Sequence, residues 1–570
     1  MKRTRGLVTP VVVCLLFLLS CSPAPGQRQE ASSQESSRST QPQGPKILTI
    51  GLLREAATID GYTGQGGNSG GAEMYPLLHD KLTVLDPRGV VQPQLAVEVP
   101  SIEKGTWEIF PDGRMVMTWK LRQGVKWHDG TPFTSDDMMF ALMLRQDRDL
   151  AHSQAAIARQ MESAANPDPY TFVVTWRSVY VTADQAPALP PQPKHYLEEL
   201  YRTDKEAFIN SPKFREEYLG LGPYRMTGWD RGSQMDLARF DDYWRGRPPL
   251  DRIVIRFIND PNTLVANVLA GAVDLNVPPG ITGDSMFEVQ RRWEGTGNVA
   301  RIEAVPILDY MEPMVRPEYA RPVNGLPQLA VRQALMHGLD RASLTEVITG
   351  GLGPASDSFW FPNDALFPQV ESSFVKYPYD ASRARQLLTQ AGWEPGPDGI
   401  LAHRPSGERF ELEIMVNETL AQKTGTIIAE DWKKLGIAAT ANPIPPARAD
   451  DRAYTAQRPG PLATFSFGDW SSDRLNGRDL ASEANRWSGR NRAGYQNPRS
   501  DAVLDALLVT IDPAARLPLL REQAQIYSAD VAMMPLYWEV RSTLAAKGVK
   551  ADVRPSAPWW DPFTWDKDAS

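Results

Sequence analysis

The chain has 570 residues, 42% of them hydrophobic and 23% charged, an ordinary globular composition at a length too great for one simple core. Its 61 basic and 69 acidic residues leave a net charge of −8, which argues against nucleic acid as a partner. Cys14 and Cys21 are the only cysteines, so a disulfide-stapled scaffold is excluded as well.

Lys2, Arg3 and Arg5 precede an apolar run from Leu7 to Leu19 that is short for a bilayer span, which is the pattern of a signal peptide over residues 1–20. Leu18-Leu19-Ser20-Cys21 resembles a lipobox, making Cys21 the expected lipid-attachment residue. Without the leader, 58 basic residues face 69 acidic ones, a net of −11. Ser22 to Pro45 is dominated by Ser, Gln, Pro, Gly and charge and reads as a tether, with a coil reach of ~25 Å.

Further along, Gly67-Asn68-Ser69-Gly70-Gly71 fits the G-x-S-x-G nucleophile elbow, but its glycine-rich surroundings suit a flexible loop better than a strand-to-helix turn. Met115, Met117, Trp119 and Leu121 alternate with polar or smaller neighbours, predicting a half-buried strand. Asp129-Gly130 then turns the chain, and Thr134 or Ser135 caps a helix with Asp136 and Asp137 in its first turn and Met138, Ala141 and Leu142 on its apolar face. Asn166-Pro167-Asp168-Pro169 predicts a turn, and Tyr170, Phe172, Val174 and Trp176 a second strand. Asp380 caps a helix with Ala384, Leu387, Leu388 and Ala391 on one face, stopped by Gly392. Asp512-Pro513 opens another, with Leu517, Leu520, Ala524 and Tyr527. These elements read as mixed α/β, without an internal repeat.

Enzyme chemistry is poorly represented. No Gly-Lys-Ser or Gly-Lys-Thr phosphate loop is present, and the six histidines, at 79, 128, 152, 195, 337 and 403, form no compact metal-ligand spacing. No catalytic residue, metal or cofactor is therefore expected, and His128 reads as a turn or packing residue.

The stretch Trp119 to Met143 resembles, residue for residue, the bacterial extracellular solute-binding proteins of family five, the oligopeptide, dipeptide and nickel receptors of ABC importers. Leu221 to Trp244 with its Asp242-Tyr243-Trp244 loop, Leu269 to Leu275, Val331 to Arg341, Tyr379 to Trp393 and Tyr495 to Asp501 match in the family's order, over roughly residues 46 to 540. The resemblance implies an α/β, two-lobed periplasmic-binding-protein-like fold (class II, cluster C type) with a small domain inserted in lobe one. It implies lobe one at 46–85, 222–305 and 540–570, the inserted domain at 86–221 and lobe two at 306–539, with crossovers near 305 and 540 as the hinge. It further implies a monomeric, lipid-anchored, extracytoplasmic receptor that carries a peptide-like solute to a membrane permease, with the ATPase in another chain. A receptor for a metal chelate, sugar or opine-like compound is the alternative, and a secreted envelope hydrolase a more remote one.

For the site, Trp470-Ser471-Ser472-Asp473 resembles the family's tryptophan-x-x-aspartate, whose carboxylate pairs with the α-amino group of a bound peptide. Asp473 is thus the expected anchor, with Trp470, Asp469 and Tyr310 as further ligand contacts; a local turn cap is the plainer role for Asp473. Two departures fall near these positions: Asp473-Arg474 where aspartate-tyrosine is usual, and Leu308 to Pro313 in place of tyrosine-leucine-x-phenylalanine-asparagine. Asp309, Glu312 and Asp469 suggest an acidic cleft, although each suits a solvated surface equally.

Overall fold

In a computed structural model, the described residues are 44–59, 71–150, 155–186, 189–278, 280–416, 419–448, 451–467 and 473–568. The leader, Cys21 and the tether lie outside them, as do Asp469, Trp470 and all of the G-x-S-x-G run but Gly71, which opens the helix Gly71–Leu78.

In chain order the main strands are β1 (Ile47–Leu52), β2 (Trp107–Ile109), β3 (Met115–Lys120), β4 (Met161–Asp168), β5 (Thr171–Trp176), β6 (Tyr224–Asp230), β7 (Gln234–Arg239), β8 (Arg252–Phe257) and β9 (Leu275–Asn276). They continue as β10 (Val299–Glu312), β11 (Glu411–Val416), β12 (Ala438–Pro443), β13 (Leu462–Phe467) and β14 (Met534–Ala545). A four-stranded antiparallel sheet, β2-β3-β5-β4, lies wholly within residues 107–176. A ten-stranded mixed sheet runs in the order β12-β11-β13-β10-β14-β9-β1-β8-β7-β6.

The small sheet shows how local pattern becomes packing. Met115, Met117 and Trp119 are buried while Val116 and Thr118 are half-buried and Lys120 is exposed, as the alternation predicts. Across the ladder Phe172, Val174 and Trp176 join them in one core. The helix Ser135–Gln146 closes that core with Met138 and Leu142 and turns Phe140 and Leu144 into a second one, so it is buried on two sides. At its start the Asp137 carboxylate accepts the Thr134 N–H at 3.0 Å, the Lys194 N–H at 3.0 Å and the Trp127 indole N–H at 3.3 Å. The turn expected at Asn166-Pro167-Asp168-Pro169 is instead partly strand: β4 reaches Asp168 through a register shift between Ala165 and Asp168, where the missing Pro167 N–H interrupts the ladder.

The signature histidine fastens this region to the large sheet. His128 lies half-buried, its Nε2 3.0 Å from the Gly222 carbonyl and its Nδ1 accepting the Gly220 N–H at 3.3 Å, with its ring on the edge of Phe240. It is a packing residue. Gly222 must be glycine because a Cβ there would stand 2.4 Å from the Leu78 carbonyl carbon and the His79 nitrogen. Tyr243 Oη and Trp244 Nε1 both donate to Asp80 Oδ2, at 2.9 and 2.7 Å. Burial pushes the Asp80 carboxyl up to about 7, tempered by those two donors.

Four hydrophobic clusters are strung along the ten-stranded sheet, two of them toward its ends. Leu48, Ile50, Tyr224, Ile253 and Leu275 belong to the first, Val331, Leu335, Trp393, Ile414 and Trp432 to the second. Among the described strands, the antiparallel pair β10 and β14 passes between the clusters of the two halves. Their lower halves, Ile302 and Val540 among them, pack with Leu264 and Met286, whereas Leu308 and Trp538 pack with Phe359 and Tyr527. Pairing between the two strands breaks between Ala304 and Leu308, around Pro306, which has no N–H to donate.

Candidate functional site

Beyond that break, β10 alternates its side chains across the sheet. Leu308 and Tyr310 enter one core and Met311 the other, while Asp309 aligns with Tyr537 of β14. Asp309 is 7% exposed and accepts the Tyr537 hydroxyl, which also meets Thr424 Oγ1 at 3.0 Å. Burial first, and Asp309 second, hold the Tyr537 hydroxyl well above its ordinary pKa, so it stays protonated and donating.

Glu312, the last residue of β10, is the centre of a buried charge network. Its Oε1 accepts Arg474 Nη1 at 2.7 Å and the Tyr310 hydroxyl at 3.2 Å, and its Oε2 lies 3.3 Å from Arg458 Nη2. Arg458 also donates to the carbonyls of Glu312, at 3.1 Å, and Thr455, at 2.7 Å. Arg492 Nη1 reaches Thr455 Oγ1 at 3.2 Å. Side-chain exposure is 6% for Glu312, 0% for Arg458 and 29% for Arg474. Burial alone would raise the Glu312 carboxyl, but Arg474 and Arg458 outweigh it and hold the group below its usual range. Burial lowers Arg458 to about 10, with Glu312 opposing the shift, so at neutral pH it remains a cation. Two guanidiniums therefore bind one carboxylate, with Arg492 near enough to favour its charge.

This arrangement corrects the acidic cleft expected from the sequence. Glu312 is spent on arginines and Asp309 on Tyr537, so neither presents a free negative face; Asp469 lies outside the described residues. Tyr310, expected to touch ligand, is 1% exposed and supports Glu312 from within the core. Asp473 opens the short turn Asp473–Leu475, whose next residue Arg474 binds Glu312. The two departures noted in the sequence are thus one structural feature, because Arg474 and Glu312 are each other's partners. Arg458 and Arg492 were not anticipated. Pro459 and Gly460 after Arg458 were the available signal, since a Cβ at Gly460 would lie 1.9 Å from the Glu413 carbonyl oxygen and pins that approach to β11.

A groove of about 730 Å³ lies over the interrupted crossing, on Glu303, Ala304 and Pro306, with Asp86 on one side and Phe361 and Asp364 on the other. Hydrophobic clusters on either side of a pair of crossing strands, with a groove at the break in their pairing, are the architecture of a two-lobed solute-binding protein. Residues 91–489 match the family described as "Bacterial extracellular solute-binding proteins, family 5 Middle", and the chain belongs to that family. Oligopeptide-binding protein AppA of Bacillus subtilis (strain 168) is 26% identical over 454 residues, 77% of this chain and 76% of that protein. The structure of Bacillus subtilis AppA in complex with a nonapeptide aligns with a TM-score of 0.70 at 18% identity, covering 92% of this chain and 99% of the other. NikZ from Campylobacter jejuni in complex with Ni(L-His) aligns at 0.72 and 19%, covering 91% and 99%. Membership makes this chain an extracytoplasmic solute-binding component of an ABC transport system and not an enzyme, which removes the hydrolase alternative. Among the described residues no helix is long and apolar enough to cross a membrane.

Proposed function

We propose that the chain captures a peptide-like solute between two lobes and delivers it to an ABC permease, held near the membrane by lipid on Cys21. Lobe one comprises residues 46–85, 222–305 and 540–570, with 86–221 inserted in it, and lobe two comprises 306–539. The observation that carries this reading is the break in pairing between β10 and β14 at Ala304–Leu308. Backbone freed from its ladder there absorbs the bend, while each lobe keeps its own core and moves as a body. Asp473 is the proposed partner of the solute's ammonium group, through a charge-assisted hydrogen bond that reads a terminus common to all peptides. Trp470 and Asp469 are the further proposed solute contacts, and Tyr310 acts through Glu312 as a positioning residue. The oligopeptide-binding relative supports the peptide reading.

Differential scanning fluorimetry with a library of short peptides tests it, since native-state binding raises Tm by mass action. Some peptides should raise Tm, and Asp473→Ala should weaken a free-amine peptide far more than its N-acetylated form. Equal losses for the two forms would remove Asp473 from that role. The second reading, a non-peptide solute such as a metal chelate, is favoured by the replacement of the family's usual residues with the Glu312–Arg474 pair.

A further inference from the structure

A second cavity, of about 400 Å³, adjoins the groove over the strand crossing. Pro76, Val84, Asp86, Trp559 and Trp560 belong to both walls, and the second cavity extends from them to Trp244 and Phe563. Trp244, Trp560 and Phe563 are half-buried, as are Pro76 and Pro93 beside them, so these rings keep accessible surface with the cavity empty. Charged side chains of this wall are already answered. Asp80, 1% exposed, accepts the Tyr243 hydroxyl, the Trp244 indole and the Gln94 amide, at 2.9, 2.7 and 2.6 Å. Asp86 accepts Arg88 at 2.9 Å and Gln92 at 3.2 Å. Arg245 pairs with Asp561 and lies over the Phe563 ring at 4.5 Å, and Arg122 lies over Trp244 at 4.7 Å. An ammonium or carboxylate entering here loses its water without meeting an unanswered opposite charge, and two of the three rings already carry a guanidinium. A neutral ring gains instead, because it sheds apolar surface and pairs offset or edge-to-face with the rings of the wall.

Resting on the proposed solute-capturing role, we infer that this cavity is a side pocket of the solute groove that takes an uncharged aromatic ring of the solute, packed among Trp244, Trp560 and Phe563. The groove then admits the body of the solute, and the side pocket ranks solutes by the ring they carry.

Calorimetry with Ala-Phe-Ala, Ala-Gln-Ala and Ala-Lys-Ala on the purified protein tests this. The phenylalanine peptide should bind about tenfold or more tighter than either of the others. Phe563→Ala alters the side pocket and leaves the groove lining intact, and in it that preference should shrink to within about threefold. Trp560→Ala replaces this variant if thermal unfolding shows that it does not fold. Equal affinities in the parent protein, tighter binding of the lysine peptide, or a preference unchanged in the folded variant would overturn the side pocket. Should none of the peptides bind, the peptide reading falls and p-cresol decides the pocket by itself, in ligand-observed saturation-transfer NMR. Transfer to p-cresol that is lost in the folded variant sustains the pocket, and transfer that persists there, or none at all in the parent protein, overturns it.

Discussion

At the residue scale, the Glu312 network separates two costs that a sequence cannot. Removing a partner from a buried ion pair strands the other charge, at about 3–5 kcal/mol, whereas an exposed pair contributes about 0–1 kcal/mol. Glu312→Ala leaves Arg458 at 0% exposure without a counter-charge, so urea unfolding should show the larger loss. Arg474→Ala leaves Glu312 still bound to Arg458 and should lose no more than about 1–2 kcal/mol, between those two limits. His128 gives a pH signature of definite sign. Burial lowers it to about 4, so between pH 6.5 and 4 the unfolded chain takes up a proton that the folded chain refuses, and stability falls on acidification. The loss is at most about 3 kcal/mol, less what residual solvent contact screens. His128→Gln, which keeps a donor toward Gly222, should lose less stability over that interval than the parent, measured by denaturant titration at each pH. Arg474 was legible as a departure from the family pattern, but its meaning needed Glu312, 162 residues away in the chain.

Elements with a local cause were the legible ones. The strand at Met115, the helix start at Thr134 and the helices Ala381–Gln390 and Pro513–Ala529 all follow from periodicity plus a capping side chain: Asp380 accepts the Arg383 N–H at 2.8 Å, Asp512 the Ala515 N–H at 2.9 Å, and Gly392 ends its helix at φ +87°. What was not legible is decided by distant partners. The order of ten strands in one sheet, and the continuation of β4 through Pro167, depend on which strand lies alongside, which no window of sequence contains. Trp119, 2% exposed between Met138 and Phe172, should cost about 3–5 kcal/mol as Trp119→Ala in urea unfolding. The crossing makes its own prediction: in hydrogen exchange the amide of Val305, inside the pairing break, should exchange faster than those of Arg301 and Glu303. Equal protection along β10 would mean that the strand crosses without a hinge.

For the molecule as a whole, the family's motifs spread from Trp119 to Asp501 carried the fold class, because they are local words whose order encodes the architecture. The solute was less legible, since Arg474 and the run Leu308 to Pro313 are where this sequence departs from the family's pattern. Cys21→Ser should release the protein from the membrane fraction, because acyl chains at ~0.8 kcal/mol per methylene are its only proposed hold on the bilayer; fractionation and immunoblotting read this directly. The account as a whole rests on closure of two bodies about β10 and β14. Small-angle X-ray scattering on protein stripped of its solute by unfolding and refolding, then reloaded with whatever solute native preparations release, measures it most directly. A smaller radius of gyration in the reloaded protein is the expected result, and superimposable curves at saturating solute would contradict it.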